Sequence, residues 1–338
     1  MDAVTADTPT ILLINPESRR GQKLFEEYRL RFDRALNLVD AAMTESKEDM
    51  IRRLEEGVAL GISRFIIGGG DGTLSKAADI LAGSDAVLGV LPLGTGNTFF
   101  HGLDLPAAPE ELVSVLTDGP VARYDVGLAV KENRKTVFLN SLTMGFSQRL
   151  VELLTRESKV RLGHLAWIVE FRQALANTPT MDVTISWPGG RDHFETRQLV
   201  VVNGRTLAAG IQATPASSGQ DGLLEVFRLG GPSFASIARL GTKLLAGRLL
   251  TDREAHYRML TELTVDAQPA LPVNIDGDLW LKPPVHCRVL AGALAVISAS
   301  PQGQSPRRWP LVSRTLGTPR LVFPPVRTYS MRATDHKS

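Results

Sequence analysis

The sequence predicts an α/β domain with a mostly parallel sheet, followed by a second domain that is rich in β-strands. In the first 120 residues, short apolar runs alternate with segments of helical spacing, which is typical of parallel strands joined by helices on both faces of a sheet. After Pro120 the apolar runs are numerous, short and separated by Gly, Pro and Asn, which indicates a sandwich or a partly closed sheet. We therefore divide the 338 residues into an α/β domain (1–122), a β-rich domain (123–300) and a tail (301–338).

The spacing of apolar residues places four strands and four helices in the α/β domain. Strands are predicted at 10–14, 36–42, 62–67 and 86–91, and helices around 24–36, 47–58, 74–81 and 98–103. Ser46 is placed to cap the second helix, whose apolar face consists of Met50, Leu54 and Val58.

A glycine-rich turn that contains Asp71 and Thr73 follows the third strand, and a helix comes directly after it. Gly69, Gly70 and Gly72 allow close approach of the backbone to a ligand, and the N-terminus of a helix favours an anion. A carboxylate beside a phosphate is favourable only if a cation such as Mg²⁺ lies between them. The turn is therefore predicted to bind phosphate with Asp71 beside Mg²⁺, and a plain tight turn without a ligand is the alternative.

Two further turns follow the first and the fourth strand. Asn15 begins one of them, and Gly94, Thr95, Gly96 and Asn97 form the other. Ligands of open α/β sheets bind at the carboxyl ends of the strands. We therefore expect the three turns to converge on one crevice and to form the walls of a nucleotide site.

Eight strands are predicted in the β-rich domain, together with two helical segments. The strands are 124–130, 135–142, 181–187, 197–203, 223–229, 262–266, 273–275 and 287–290, and the helical segments are 147–178 and 234–249. The apolar residues of the helical segments either pack only on the sheet or in part line an apolar cleft between the domains.

Charge is distributed unevenly along the chain, although the net charge is only +2. Residues 301–338 contain seven basic residues against Asp335 alone, so this tail carries +6 and the rest of the chain −4. With six prolines the tail is expected to be mobile, either as a solvated extension or in contact with an anionic membrane surface. Nucleic acid is not an expected partner, because the folded part is not basic and carries no recognition motif.

Composition limits the remaining classes. Cys287 is the only cysteine, so an intramolecular disulfide is excluded, and we expect a packed strand residue in a reducing compartment. No run of about 18 apolar residues occurs, which predicts no transmembrane helix. The first nine residues lack the basic residues of a secretory signal. These features favour a cytoplasmic protein, peripheral at the membrane if the tail binds lipid.

Together the motifs resemble those of the diacylglycerol kinase-like lipid kinases, a group that includes sphingosine and ceramide kinases and bacterial lipid kinases. The resemblance extends over residues 10–300 and rests on Asn15-Pro16, Gly69-Gly70-Asp71-Gly72-Thr73, Pro92-Leu93-Gly94-Thr95-Gly96-Asn97, Ser158-Lys159 to Trp167 with Gly163, Asp221-Gly222-Leu223-Leu224-Glu225 and Asp276-Gly277-Asp278. The first glycine turn is shared with NAD kinases and phosphofructokinase-like folds. The second glycine turn and the two late aspartate segments are more specific.

The resemblance implies an NAD kinase- and phosphofructokinase-like ATP-binding domain, a C-terminal β-sandwich and an active site between them. It implies transfer of the γ-phosphoryl group of ATP, with Mg²⁺, to the hydroxyl of a diacylglycerol- or sphingoid-type lipid. The residues that it assigns to the nucleotide are Asn15, Gly69, Gly70, Gly72, Thr73, Gly94, Thr95, Gly96 and Asn97. Asp71 is assigned to Mg²⁺ and to catalysis. Asp221, with Ser218 and Leu223, is assigned to a second metal, which some bacterial members use to hold the sandwich.

One position departs from the family, which usually has Asp-Gly-Glu where this chain has Asp276-Gly277-Asp278. The Glu is thought to deprotonate the acceptor hydroxyl, and Asp278 keeps the carboxylate on a side chain that is one methylene shorter. Asp278 is therefore the predicted general base, although general-base geometry is demanding. The alternative is a carboxylate that only closes a strand turn.

Two other functions stay open. An NAD kinase would share the first glycine turn, but the second glycine turn and the apolar segment around residues 162–171 argue against it. A nucleotide- or lipid-binding regulator without catalysis would fit the change at Asp278. The expected partners are a lipid substrate and an anionic membrane surface, and a homodimer is left open, as is the identity of the lipid.

Overall fold

The computed structural model describes residues 4–18, 20–147, 176–208, 211–212, 214, 217–229, 234–252 and 255–299. The predicted helical segment at 147–178 falls almost wholly outside these residues, and with it the motif from Ser158 to Trp167. The basic tail at 301–338 also falls outside them.

A parallel sheet with helices forms the first half of the chain. Its elements are β1 (Thr10–Ile14), α1 (Gly21–Ala35), β2 (Leu38–Met43), α2 (Lys47–Ala59), β3 (Arg64–Gly69), α3 (Asp71–Leu81), β4 (Val87–Pro92), α4 (Thr98–Gly102) and α5 (Pro109–Asp118). The strands pair in parallel in the order β2-β1-β3-β4. The predicted α/β architecture is confirmed.

Local sequence signals explain most of these boundaries. The Ser46 hydroxyl accepts a hydrogen bond from the N–H of Asp49 at 3.2 Å and caps α2 as predicted. Helix α3 begins at Asp71, three residues earlier than predicted, because the Gly70 carbonyl already accepts from the N–H groups of Thr73 and Leu74. Helix α5 was not predicted, although its first position is Pro109 and its buried residues Leu112 and Leu116 have helical spacing.

The second half is a β-sandwich, as predicted. Its elements are β5 (Val121–Lys131), β6 (Arg134–Phe138), β7 (Ser141–Gly145), β8 (Met181–Trp187), β9 (Gly190–Thr196), β10 (Gln198–Val202), β11 (Thr206–Ala208), β12 (Ile211–Gln212), β13 (Leu224–Arg228), α6 (Phe234–Leu245), a 3-10 turn (Leu249–Thr251), β14 (Tyr257–Leu260), β15 (Glu262–Gln268), β16 (Asn274–Ile275), β17 (Asp278–Leu279) and β18 (Val285–Ile297). One sheet has the order β14-β13-β10-β7-β16-β17, and β9-β8-β15-β18 with β5 and β6 forms the other. Apolar residues from both sheets form one buried cluster between them.

Two predicted strands of this half were wrong in extent. The predicted strand at 135–142 is two strands, β6 and β7, because the N–H groups of Leu139 and Asn140 bind the carboxylate of Asp276. The predicted strand at 287–290 lies in the first part of β18, which passes through a register shift between Leu290 and Leu294 and continues to Ile297. Strands β9, β11, β12, β14 and β17 were not predicted.

Strands β5 and β18 connect the two halves. The first part of β18 pairs with β15 in the sandwich, and Ala295 and Val296 near its end pair in parallel with Val87 and Leu88 of β4. Strand β5 runs antiparallel to β18 along both parts. One sheet is therefore continuous from the parallel strands into the sandwich, and the domain division at residue 122 stays a prediction.

Candidate active site

The three predicted turns meet at the carboxyl ends of β1, β3 and β4. The Asn15 side-chain amide donates to the Thr73 hydroxyl at 2.8 Å, which joins the first turn to the start of α3. The N–H of Gly94 donates to the Gly69 carbonyl at 3.1 Å, which joins the third turn to the second. The crevice predicted from the strand order is therefore present.

Close contact between backbones explains the glycines of these turns. A Cβ atom on Gly94 would lie 2.4 Å from the Cα of Gly70, and one on Gly69 would lie 2.6 Å from the Cβ of Thr73. Neither position has room for a side chain. The contact between Gly70 and Gly94 sets the two turns edge to edge.

Asp71 is the first residue of α3, and its carboxylate accepts hydrogen bonds from two other segments. Its Oδ1 accepts from the N–H of Phe99, in the first turn of α4, at 3.0 Å and from the Asn140 side-chain amide at 3.3 Å. Its Oδ2 has no hydrogen-bond partner in the described part of the chain and faces Gly96, where a Cβ atom would lie 3.0 Å away. A free carboxylate oxygen beside a position kept empty by glycine fits a small hard cation such as Mg²⁺.

Two other predicted nucleotide residues act within the turns. Asn97 has a positive φ of 46°, and its side chain accepts from the N–H of Gly94 at 3.0 Å and donates to the Gly94 carbonyl at 3.1 Å. The Thr73 hydroxyl is buried against Gly69 and Asn15. These two side chains shape the turns, whereas Thr95 is exposed at the crevice.

A tight hairpin brings the late aspartates to the same place. Strands β16 and β17 pair Ile275 with Asp278, which leaves Asp276 and Gly277 as a two-residue turn with φ values of 48° and 102°. Positive φ at both central positions is the hairpin geometry that Asp-Gly favours. The hairpin forms because the sequence places this dipeptide between two short strands in which polar and apolar residues alternate.

The carboxylate of Asp276 is enclosed by four donors. Its Oδ2 accepts from the Ser75 hydroxyl at 2.6 Å and the N–H of Leu139 at 2.6 Å, and its Oδ1 accepts from the N–H groups of Asn140 at 3.0 Å and Ser141 at 2.8 Å. Burial raises the pKa of Asp276 to about 6, and these four hydrogen bonds oppose that shift because they favour the charged form.

Asp278, in contrast, is exposed. Its Oδ2 lies 4.0 Å from the point where a Cβ atom on Gly72 would be, so the carboxylate stands over the first turn of α3. The structure therefore brings the predicted base next to the predicted phosphate turn, although the two are far apart in sequence.

Beside Asp278 opens a cleft of about 630 Å³. Its walls come from α3, the β5–β6 hairpin, the β16–β17 hairpin and the first residue of α2, and they contain four cations, Lys47, Lys76, Arg134 and Lys135. None of the four has an ion-pair partner within the described residues, and Asp79 and Asp278 are the carboxylates of the lining. This lining is mainly polar. Most of the helical segment 147–178, which was expected to line an apolar cleft in part, lies outside the described residues, so that expectation stays a prediction.

Comparisons with known proteins agree with this architecture. The model of the diacylglycerol kinase catalytic domain matches residues 9–129, and the model of the YegS C-terminal NAD kinase beta sandwich-like domain matches residues 140–298. A Pseudomonas fluorescens protein named "Probable lipid kinase YegS-like" is 31% identical over 258 residues, which are 75% of this chain and 83% of the relative. The chain belongs to the diacylglycerol kinase-like family of lipid kinases.

Other relatives give the same picture for this kinase. An Escherichia fergusonii protein named "Probable lipid kinase YegS" is 29% identical over 298 residues, which are 86% of this chain and 96% of the relative. A crystal structure of a diacylglycerol kinase from Bacillus anthracis superposes with a TM-score of 0.69 at 23% identity, covering 87% of this chain and 98% of that one. At that identity the superposition establishes the fold alone.

The second metal position predicted for this lipid kinase is a loop around Asp221. One oxygen of Asp221 accepts from the N–H of Leu223 at 3.0 Å, and the N–H of Gly222 donates to the neighbouring carboxylate of Asp125 at 2.7 Å. Burial, together with the charge of Asp125, raises the pKa of Asp221 to about 6. In the described residues no three carboxylate, histidine or cysteine side chains gather into a metal cage. A cation here would therefore rely on Asp221 together with backbone oxygens near Ser218 and Leu223, which are suitable ligands for Mg²⁺ or Ca²⁺.

Several residues of the site were not predicted from the sequence. Ser75 and Asn140 contact Asp276 and Asp71, and both come from segments that carry no motif. Lys76 and Lys135 line the cleft from an ordinary helix and an ordinary strand. The Asp276-Gly277 dipeptide, noted from the sequence only as part of a possible strand turn, is the local signal that predicts the hairpin.

The contact between the glycine turns generates one prediction. Gly94→Ala should weaken ATP binding about tenfold or more and lower the free energy of unfolding by about 1–3 kcal/mol, because the new methyl group must displace Gly70. Gly241→Ala is the matched control, since a Cβ atom there meets nothing within 4 Å and the residue lies in α6. Calorimetric titration with a non-hydrolysable ATP analogue and urea unfolding measure both quantities. Wild-type binding by Gly94→Ala would show that the turns do not need this contact.

The loop around Asp221 generates a second prediction. Mg²⁺ without nucleotide should raise the Tm of the wild-type protein, and Asp221→Asn should abolish this shift because the half-buried carboxylate is the charged ligand of the site. Asp85→Asn removes a fully exposed carboxylate and should keep the shift. The Tm of each variant, measured by thermal unfolding with Mg²⁺ or with a chelator, tests the assignment of Asp221 to this metal. An unchanged Mg²⁺ shift in Asp221→Asn would contradict the assignment.

Proposed function

We propose that this kinase transfers the γ-phosphoryl group of ATP to the hydroxyl group of a lipid in the presence of Mg²⁺. The observation that carries the proposal is the position of Asp278, whose carboxylate stands over the first turn of α3 where the three turns converge. A carboxylate next to a phosphate-binding turn is the arrangement that an alcohol-directed kinase needs.

The turns would hold the nucleotide through their backbone. The first N–H groups of α3, together with those of the turn at Gly94 to Gly96, present donors and a helix dipole to an anion. Mg²⁺, when bound, neutralises phosphate charge beside the free oxygen of Asp71. Positioning and neutralisation of charge would supply most of the catalysis.

Asp278 would take the proton of the acceptor hydroxyl. A bond forms between the acceptor oxygen and the γ-phosphorus, the bond from the γ-phosphorus to the bridging oxygen of ADP breaks, and the proton passes to Asp278. The shorter side chain still suits this role, because the hairpin holds it over Gly72 at the start of α3.

The cleft beside Asp278 is where the acceptor would bind. Four cations against two carboxylates favour a head group that carries negative charge and disfavour the amine of a sphingoid base. Leu279, which is 59% exposed next to Asp278, offers apolar contact for the first part of a lipid chain. Of the two predicted acceptor types, the cleft therefore favours neutral diacylglycerol over a sphingoid base, and its charge would suit an anionic hydroxylated lipid better than either.

A lipid acceptor places the reaction at a membrane surface. None of the helices among the described residues is long and apolar enough to cross a bilayer. We therefore propose a peripheral association, to which the seven basic residues of 301–338 would contribute.

NAD is the second candidate acceptor, because its phosphates would also suit the four cations of the cleft. An NAD kinase would use the same turns and the same base. Direct comparison of lipid and NAD as acceptors separates the two functions.

Phosphate transfer from labelled ATP tests the proposal. With Mg²⁺ and mixed micelles that contain phosphatidylglycerol, diacylglycerol, ceramide or sphingosine, the wild-type protein should label a lipid. Asp71→Ala and Asp278→Ala should each lower turnover at least about 100-fold, because one loses the metal ligand and the other the base. Asp278→Glu should keep activity, since it restores the longer carboxylate, and Asp85→Ala is the control for an exposed carboxylate.

Label on NAD alone would replace the lipid kinase by an NAD kinase. Full activity of Asp278→Ala would remove the proposed base. Binding of ATP without label on any acceptor would favour a regulator that has lost catalysis.

A further prediction concerns the charge of the cleft. Lys76→Gln and Lys135→Gln should each raise the KM for an anionic acceptor about two- to fivefold, with a smaller effect for diacylglycerol and none on the KM for ATP. Arg191→Gln removes an exposed cation from β9, outside the cleft lining, and should change neither KM. Added salt should reduce the effect because it screens exposed charges. A rise in the KM for ATP with every acceptor would assign the cations to the nucleotide instead.

A further inference from the structure

We infer that Asp276 is a positioning residue, which fixes Asp278 against the first turn of α3 through Ser75 and the segment 139–141. The inference rests on the proposed function, because it assigns Asp276 a task in placing the proposed base.

The four donors to the Asp276 carboxylate come from both halves of the fold. One donor, the Ser75 hydroxyl, belongs to α3 of the parallel-sheet half, and the other three are consecutive N–H groups from the β6–β7 connection and the first residue of β7 in the sandwich. The N–H of Asp276 also donates to the Ser141 carbonyl at 3.0 Å. One carboxylate therefore binds the hairpin, the sandwich and α3 together.

The β16–β17 hairpin places Asp278 close to the anchored carboxylate of Asp276. Asp276 takes the left-handed backbone conformation that directs its carboxylate toward α3, and after Gly277 the chain returns with Asp278 exposed at the cleft. Only one residue separates the anchored carboxylate from the proposed base. A shift of Asp276 relative to α3 would therefore move Asp278 relative to Gly72.

The carboxylates of Asp71 and Asp276 share neighbouring hydrogen-bond donors. Asn140 donates its N–H to Asp276 at 3.0 Å and its side-chain amide to Asp71 at 3.3 Å. Ser75, which binds Asp276, lies one helical turn after Asp71 in α3. The candidate metal ligand and the candidate base are thus both located by the same small network.

A purely structural anchor would show itself differently from a positioning residue. Loss of an anchor lowers stability and leaves the turnover of the folded enzyme unchanged. Loss of positioning lowers kcat, because a misplacement of about 1 Å at a reacting group costs up to about 100-fold in rate, and it leaves nucleotide binding intact.

Ser75→Ala is the decisive variant, because it removes one donor and leaves the carboxylate in place. We expect kcat for the lipid acceptor to fall about tenfold or more, while the KM for ATP stays within about twofold of wild type. Ser84→Ala is the matched control, since this hydroxyl lies just beyond the other end of α3 and donates to the Leu81 carbonyl at 2.7 Å. It should leave kcat and both KM values unchanged.

Hydrogen exchange provides a readout that needs no activity. In Ser75→Ala, the amides of residues 137–141 and 274–280 should exchange faster than in wild type, and those of β10 should not. Asp276→Asn should show the same pattern with a larger loss of kcat, because in either orientation its NH2 group replaces an acceptor oxygen and faces at least one N–H donor. If Asp276→Asn does not fold, Ser75→Ala still decides the inference.

The outcomes are distinct. Wild-type kcat in Ser75→Ala, or an equal loss of kcat in Ser84→Ala, would overturn the positioning role. A wild-type protein that phosphorylates no lipid would end the proposed function, and the link from Asp276 to α3 would then stand or fall on the exchange of residues 274–280.

Discussion

A buried carboxylate that is stabilised only by neutral donors holds the site together. Asp276 has no cation within the described residues at ion-pair distance, and its charge is instead shared by one hydroxyl and three N–H groups. Removal of the carboxylate would leave these donors without a partner, at about 1–3 kcal/mol for each one that stays buried. Because the donors come from α3 and from the β6–β7 connection with the start of β7, neither segment can shift relative to the β16–β17 hairpin without losing hydrogen bonds.

Backbone contacts provide the second constraint. The two glycine turns touch at Gly70 and Gly94, and β5 and β18 run without interruption from the parallel sheet into the sandwich. The crevice between the halves is therefore built on a continuous sheet and on turns in direct contact. A site of this kind is organised before substrate binds, which suits a reaction that depends mainly on the positioning of phosphate and hydroxyl groups.

Local charge at the cleft differs from the charge of the chain around it. Residues 1–300 carry a net charge of −4, yet the cleft beside Asp278 is lined by four cations and two carboxylates. Net charge sets the average behaviour of a surface, whereas a ligand in a cleft responds to the few charges that line it.

The sequence by itself determined the parallel strands of the first half and the meeting of the three turns. Apolar periodicity predicted β1 to β4, Ser46 predicted the cap of α2, and the carboxyl ends of parallel strands had to bring Asn15, Asp71 and Gly94 together. Tertiary structure alone decided that Asp276 would bind Ser75, 201 positions away. It also decided that the Asp276 carboxylate would accept hydrogen bonds from the N–H groups of Leu139 and Asn140, which divides one predicted strand into β6 and β7. It also decided which lysines line the cleft. Periodicity and turn residues act within a few positions of the chain, whereas these contacts depend on how distant segments pack, and no local pattern encodes them.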